Sequence, residues 1–152
     1  MSIDSALLAK AENFCVYQER CQQEVRDKLY AWGLHKAEVE QTIATLITSG
    51  FLNEERFAIA YAGGKFRIKQ WGRIKIKLAL KQKKISTYCI NKGLAGISDV
   101  DYLNCLKKVM VAYSKKINEK NVLMRNYKIA QHLMSKGFES DIVWDEIKKH
   151  FK

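Results

Sequence analysis

Five apolar positions recur three times along this chain with nearly the same internal spacing, and this limits the fold more than any other feature. Val25, Leu29, Leu34, Val39 and Ile43 form the first set. An offset of 51 residues reaches Ile76, Leu80, Ile85, Ile90 and Leu94, and a further 53 reaches Ile129, Leu133, Phe138, Val143 and Ile147. Self-similarity at such a period marks a tandem array of one supersecondary unit whose neighbours complete each other's core. Within each set, residues four apart share a helix face rather than a strand face.

The punctuation between these positions is helical as well. Gly33 and Gly137 stand where a helix ends in a left-handed cap. In the second unit Lys84 occupies that place, so either a lysine adopts the conformation at a cost of about 1 kcal/mol or the cap is built differently. Ser86 and Ser140 fall where second helices need an N-cap. A third helix is predicted after Asn53, with Glu54 and Glu55 complementing its dipole and Phe57, Ala60 and Tyr61 on its apolar face. Another is predicted after Ser98 and Asp99, with Tyr102, Leu106, Val109 and Tyr113 facing the core. Gly63-Gly64 reads as a bend between the first two units, the alternative being a costly interruption of one long helix. The 152 residues contain no proline and only eight glycines, which removes sandwiches and barrels from consideration. The expected fold is all-α: about three tandem three-helix repeats in an elongated, curved array. Residues 1–62 hold an N-terminal segment and the first repeat, 63–118 the second, and 119–152 a third that stops after its second helix.

The formal charge of +11 is unevenly placed. Residues 1–62 sum to −3, whereas residues 63–92 carry ten basic side chains and no acidic one. Such a segment cannot neutralise itself and attracts a polyanion. The candidate binding residues are Lys65, Arg67, Lys69, Arg73, Lys75, Lys77, Lys81, Lys83 and Lys84. Arg73, Lys77 and Lys81 are spaced by four and Lys84 by three more, a cationic stripe suited to phosphates, which position a protein without reading sequence. Phe66 and Trp71 lie among these cations and could stack on exposed bases or pack between repeats. Trp144 stands where the first unit has Glu40, as a partner-facing anchor or as cover for the last repeat.

No catalytic constellation is expected. There is no phosphate-binding glycine loop and no acidic cluster for paired metals, and Cys15 with His35 lacks any sequence feature that would join them. Cys15, Cys21, Cys89 and Cys105 form no CxxC pair, and His35, His132 and His150 complete no zinc spacing, so neither a metal nor a cofactor is expected. The opening MSIDSALLAK has no signal-peptide pattern and no long apolar run occurs, which points to a cytoplasmic chain with reduced thiols and no membrane partner.

The stretch Gly50-Phe51-Leu52-Asn53-Glu54-Glu55-Arg56-Phe57-Ala58, followed by Ala60-Tyr61, resembles the hallmark of the RecX family of RecA regulators. Glu24–Leu29 with Gly33-Leu34 is similar to that family's first-repeat opening, Trp71–Leu78 to its basic second-repeat opening, and Lys136-Gly137-Phe138 with Ile142, Val143 and Ile147 to its third-repeat pattern. The resemblance covers residues 10–152 and departs from the pattern at Lys84 and in the short third unit. It implies a crescent of three-helix repeats and a cytoplasmic regulator that restrains recombinase activity; a monomer is expected separately, because no leftover apolar stripe in the sequence demands a partner. The regulator's partners would be the RecA filament and single- and double-stranded DNA without strong sequence preference. The alternative is a general DNA- or RNA-binding helical module with no recombinase partner.

Overall fold

The computed structural model describes residues 3–151; Met1, Ser2 and Lys152, which include both ends of the expected repeats, lie outside the described residues. These residues form nine α-helices and no strand. The helices are α1 (Ser5–Tyr17), α2 (Gln22–Ala31), α3 (Lys36–Thr48), α4 (Glu54–Lys69), α5 (Arg73–Gln82), α6 (Thr87–Ala95), α7 (Asp99–Lys116), α8 (Val122–Ser135) and α9 (Ser140–His150). Counted from α1 they make three full triplets; counted from α2 the last triplet lacks its third helix. The all-α expectation holds. No described helix is long and apolar enough to cross a membrane.

The repeat is visible in backbone detail. Gly33, Lys84 and Gly137 all take left-handed backbone, with φ of 91°, 63° and 98°. After each, the next N–H reaches back to the carbonyl five residues earlier: Leu34 to Leu29 at 3.2 Å, Ile85 to Leu80 at 3.1 Å and Phe138 to Leu133 at 3.2 Å. This is one helix stop built three times, and Lys84 tolerates the strain without changing the cap. Of the fifteen repeated apolar positions only Leu34 and Leu94 are not fully buried. Asn53, Ser86 and Ser98 cap α4, α6 and α7 as expected, accepting from Arg56, Cys89 and Asp101 N–H groups.

The chain divides into two compact units. The first comprises Met1–Ala60 and Leu80–Gly93. Its core joins Ala11 and Cys15 of α1 to Val25, Leu29, Val39, Ile43, Leu46 and Leu52. Helix α1, which falls in the unassigned N-terminal segment, is capped by Asp4, whose carboxylate accepts from Ala6 N–H at 3.0 Å. The Gly50–Tyr61 block is the mortar of this unit. Gly50 turns left-handed at φ 82°, Leu52, Phe57 and Ala58 are buried, and Glu54 accepts from Gln22 N–H at 2.9 Å. Arg56 binds Glu19 at 2.6 Å and the Gly50 carbonyl at 3.0 Å. Helix α6 approaches α4 so closely that a Cβ on Gly93 would lie 2.6 Å from the Ala58 carbonyl oxygen.

The second unit comprises Tyr61–Ala79 and Leu94–Lys152. Phe66, Tyr102 and Phe138 form an aromatic row, with centroid separations of 5.9 and 5.4 Å. Around it lie Ile76, Leu106, Met110, Ile129, Leu133, Val143 and Ile147, all buried. Gly72 and Gly137 meet backbone to backbone, since a Cβ on Gly72 would fall 2.3 Å from the Gly137 carbonyl carbon.

Three local expectations are corrected. Gly63-Gly64 is not a bend, because α4 runs through both glycines and stops only at Gln70, left-handed at φ 56°. A continuous buried face of Ala58, Ala62 and Phe66 outweighs the helix penalty of the glycines. That face also replaces the expected one: Phe57 is buried, but Ala60 is exposed and Tyr61 half-buried. Ser140 does not cap α9. The N-cap is Glu139, which makes no capping bond because its carboxylate accepts from Tyr102 and Arg73.

Candidate nucleic-acid interface

The basic segment occupies the second half of α4, the turn at Gln70–Gly72, α5 and α6. Where its charges stand depends on what each cation already touches.

Arg73 differs from the rest. Its guanidinium reaches Asp99 at 2.7 Å and Glu139 at 3.0 Å and lies 3.8 Å over the Tyr102 ring. Tyr102 donates to Glu139, and burial together with that bond pushes the phenol well above its ordinary range. A cavity of about 490 Å³ beside it is lined by Arg73, Asp99, Tyr102, Asp141, Glu146 and Lys149, a predominantly acidic wall. The first N–H groups of the α5 end are also occupied: Gly72 donates to Lys136 O at 2.7 Å, Arg73 to Tyr102 Oη at 2.9 Å, and Ile74 to Gly137 O at 3.0 Å. A helix N-terminus normally offers such donors to an anion; here they tie α5 to the α8–α9 turn. Arg73 therefore leaves the expected phosphate stripe and serves as an internal tie. The pairing is invisible to sequence reasoning because Glu139 lies 66 residues away.

Within the second unit two of the remaining cations, Lys65 and Lys75, flank Trp71, which is half-buried. The Lys65 and Lys75 ammonium groups stand 5.0 and 4.8 Å from its ring centroid, and Lys65 lies 5.4 Å from that of Tyr61. Cation–aromatic contact orients both ammoniums without neutralising them. Arg67, Lys69 and Lys77 are exposed. Phe66 is corrected: only 8% exposed and stacked on Tyr102, it packs in the core and cannot receive a base. Trp144 is half-buried on α9.

Within the first unit Lys81 and Lys84 are exposed, while Lys83 sits 3.5 Å from Glu24. Lys92, the tenth cation of the carboxylate-free run but not among the candidate binding residues, stands 5.5 Å from the Tyr88 ring. Three of the thiols are held in the protonated form. Burial raises Cys15 and Cys105 above the ordinary thiol value, and raises Cys21 to about 11.

These features define a class: an all-α protein of tandem three-helix repeats that carries a concentrated cationic segment on its central helices. The chain belongs to the RecX family. Family models described as the first and second RecX three-helix domains match residues 8–46 and 53–94, together more than half of the chain. It is 30% identical over 135 residues to the regulatory protein RecX of Clostridium botulinum (strain Alaska E43 / Type E3), covering 86% of this chain and 61% of that protein. It is 30% identical over 131 residues to the regulatory protein RecX of Clostridium tetani (strain Massachusetts / E88), covering 85% and 58%. The chain thus spans about three fifths of the length of these relatives. The crystal structure of RecX from Lactobacillus salivarius superposes with a TM-score of 0.78 at 27% identity, covering 93% of this chain and 92% of that one. A second crystal structure, of a regulatory protein RecX, gives a TM-score of 0.83 at 23% identity, a likeness of fold.

Proposed function

We propose that this chain is a non-catalytic, cytoplasmic regulator of the RecA recombinase that lies in the helical groove of the RecA–DNA filament. There it restrains ATP hydrolysis and strand exchange. The observation that carries this reading is the match of two RecX domains to a chain whose second matched domain, residues 53–94, holds all ten cations of the carboxylate-free run. Lys65, Arg67, Lys69, Lys75, Lys77, Lys81 and Lys84 are the residues proposed to meet DNA phosphates or the acidic surface of the filament. Trp71 and Trp144 are proposed as stacking or partner contacts. Occupying the groove obstructs a second DNA strand and the rearrangements coupled to hydrolysis.

The test is ATP hydrolysis by the cognate RecA on single-stranded DNA, titrated with this protein. Inhibition is the expected result, and inhibition at well below one molecule per protomer points to end-capping or to each molecule spanning several protomers. Unchanged hydrolysis, with DNA binding intact at the same salt, sinks the recombinase reading and leaves a general nucleic-acid module.

A further inference from the structure

A second cationic surface lies in the second unit, outside the segment discussed so far. Residues 102–138 contain eight basic side chains and a single carboxylate, Glu119. Lys128 takes that carboxylate at 3.1 Å and, with the backbone N–H of Asn121, holds it below its usual range. Lys115, Lys116 and Lys120, at the end of α7 and in the connection to α8, are exposed. The first turns of α8 carry the densest run of exposed large apolar side chains among the described residues. Val122 is 53% exposed, Leu123 80%, Met124 48% and Tyr127 50%. Leu123 and Tyr127 are four apart and Met124 and Tyr127 three apart, so they present one helix face. The first turn of α8 itself holds no acidic residue; its N-terminus is closed by Asn121, which accepts from Met124 N–H at 3.1 Å, and by Glu119, which accepts from Asn121 N–H at 3.4 Å.

Exposed apolar side chains flanked by exposed cations ask for a partner with both apolar groups and carboxylates. Nucleic acid supplies the charge but leaves Val122, Leu123 and Met124 facing phosphate and sugar. We infer that the N-terminal half of α8 and the α7–α8 connection dock an acidic amphipathic segment of a protein partner. Leucine-like side chains of the partner would cover Leu123 and Tyr127, and its carboxylates would meet Lys115, Lys116 and Lys120. Charge complementarity steers the encounter and the apolar centre holds it. This surface uses none of the α4–α5 cations and does not depend on the recombinase reading.

The probe is a synthetic, fluorescein-labelled helical peptide with Leu at i, i+3, i+4 and i+7 and Glu elsewhere, followed by anisotropy and by amide NMR shifts of the labelled full chain. Shifts concentrated in residues 115–127 are expected. Leu123→Asp and the pair Lys116→Glu with Lys120→Glu should each weaken the peptide about tenfold or more. Leu123→Asp should leave affinity for an oligothymidylate unchanged. Because these side chains are exposed, an unaltered melting curve accompanies each variant. Shifts elsewhere, or a peptide affinity indifferent to Leu123→Asp, overturn the proposal. So does displacement of the peptide by the oligothymidylate, which would make this a second nucleic-acid surface.

Discussion

Lys84 shows how much backbone conformation a repeat can impose on a residue that disfavours it. At φ 63° it performs what Gly33 and Gly137 perform in the other units. The left-handed penalty for a side chain is about 1 kcal/mol, so Lys84→Gly should raise unfolding stability by about 0.5–1 kcal/mol and Tm by a few degrees, read by thermal or urea unfolding. A Tm that falls instead would mean that the lysine side chain stabilises the cap. His132 makes the complementary case. Its ring stacks on Tyr113 at 4.0 Å with an interplanar angle of 5°. Burial first, then the charges of Lys136 and Lys116, lower its pKa below the ordinary 6.5. The unfolded chain therefore takes up this proton at higher pH than the folded one. Stability should be fully present above pH 6.5 and fall as pH drops through the depressed folded value. His132→Gln should flatten the stability profile within that window; an unchanged profile would locate the titration elsewhere. The glycine and asparagine signals at Gly33, Gly137 and Asn53 were legible in the sequence because each acts within its own helix end. The Arg73–Glu139 tie and the Gly72–Gly137 contact were not, because each joins segments more than sixty residues apart.

At the scale of elements, period outranks punctuation. The spacing of apolar residues predicts the two-helix core of every repeat, since burying residues four apart is the physics of an amphipathic helix. Where a strong local signal opposes that period, as at Gly63-Gly64, the buried face prevails and α4 continues to Lys69. The misassigned face of α4 has the same origin: Ala58 and Ala62 are too small to draw notice in a sequence, yet both are fully buried. The continuous helix makes a direct prediction. Nothing lies within 4 Å of a Cβ built on Gly64, and its backbone is helical. Gly64→Ala should therefore stabilise the protein by about 0.5–1 kcal/mol, measured by urea unfolding. If the two glycines instead serve as a hinge needed for binding, the same variant would lose affinity for its partner while gaining stability. Unchanged affinity restricts the glycines to packing, where Gly63 is buried.

For the whole molecule, charge placement separates scaffold from function. The acidic excess in residues 1–62 includes Glu19, Glu40 and Glu54, which bind Arg56, Arg26 and the Gln22 N–H within the first unit. The most recognisable family block, Gly50–Tyr61, is thus chiefly structural. The proposed binding chemistry falls to a segment recognised by composition alone. Composition could name the segment but could not say which cations were already engaged. Arg73 lies in a carboxylate clasp, whereas Lys77 and Lys81 are exposed on the same helix. A charge test that includes Arg73 would confuse loss of binding with loss of the α5 tie. The informative variant is Lys77→Gln with Lys81→Gln, assayed by the salt dependence of DNA affinity. Each phosphate contact contributes about 0.7 to the slope of log K against log salt for single strands and about 0.9 for duplex. The double variant should therefore reduce the slope by about 1.4 and 1.8 respectively, with little change in Tm. A slope that stays constant removes α5 as the phosphate-binding helix and moves the polyanion contact to the cations around Trp71.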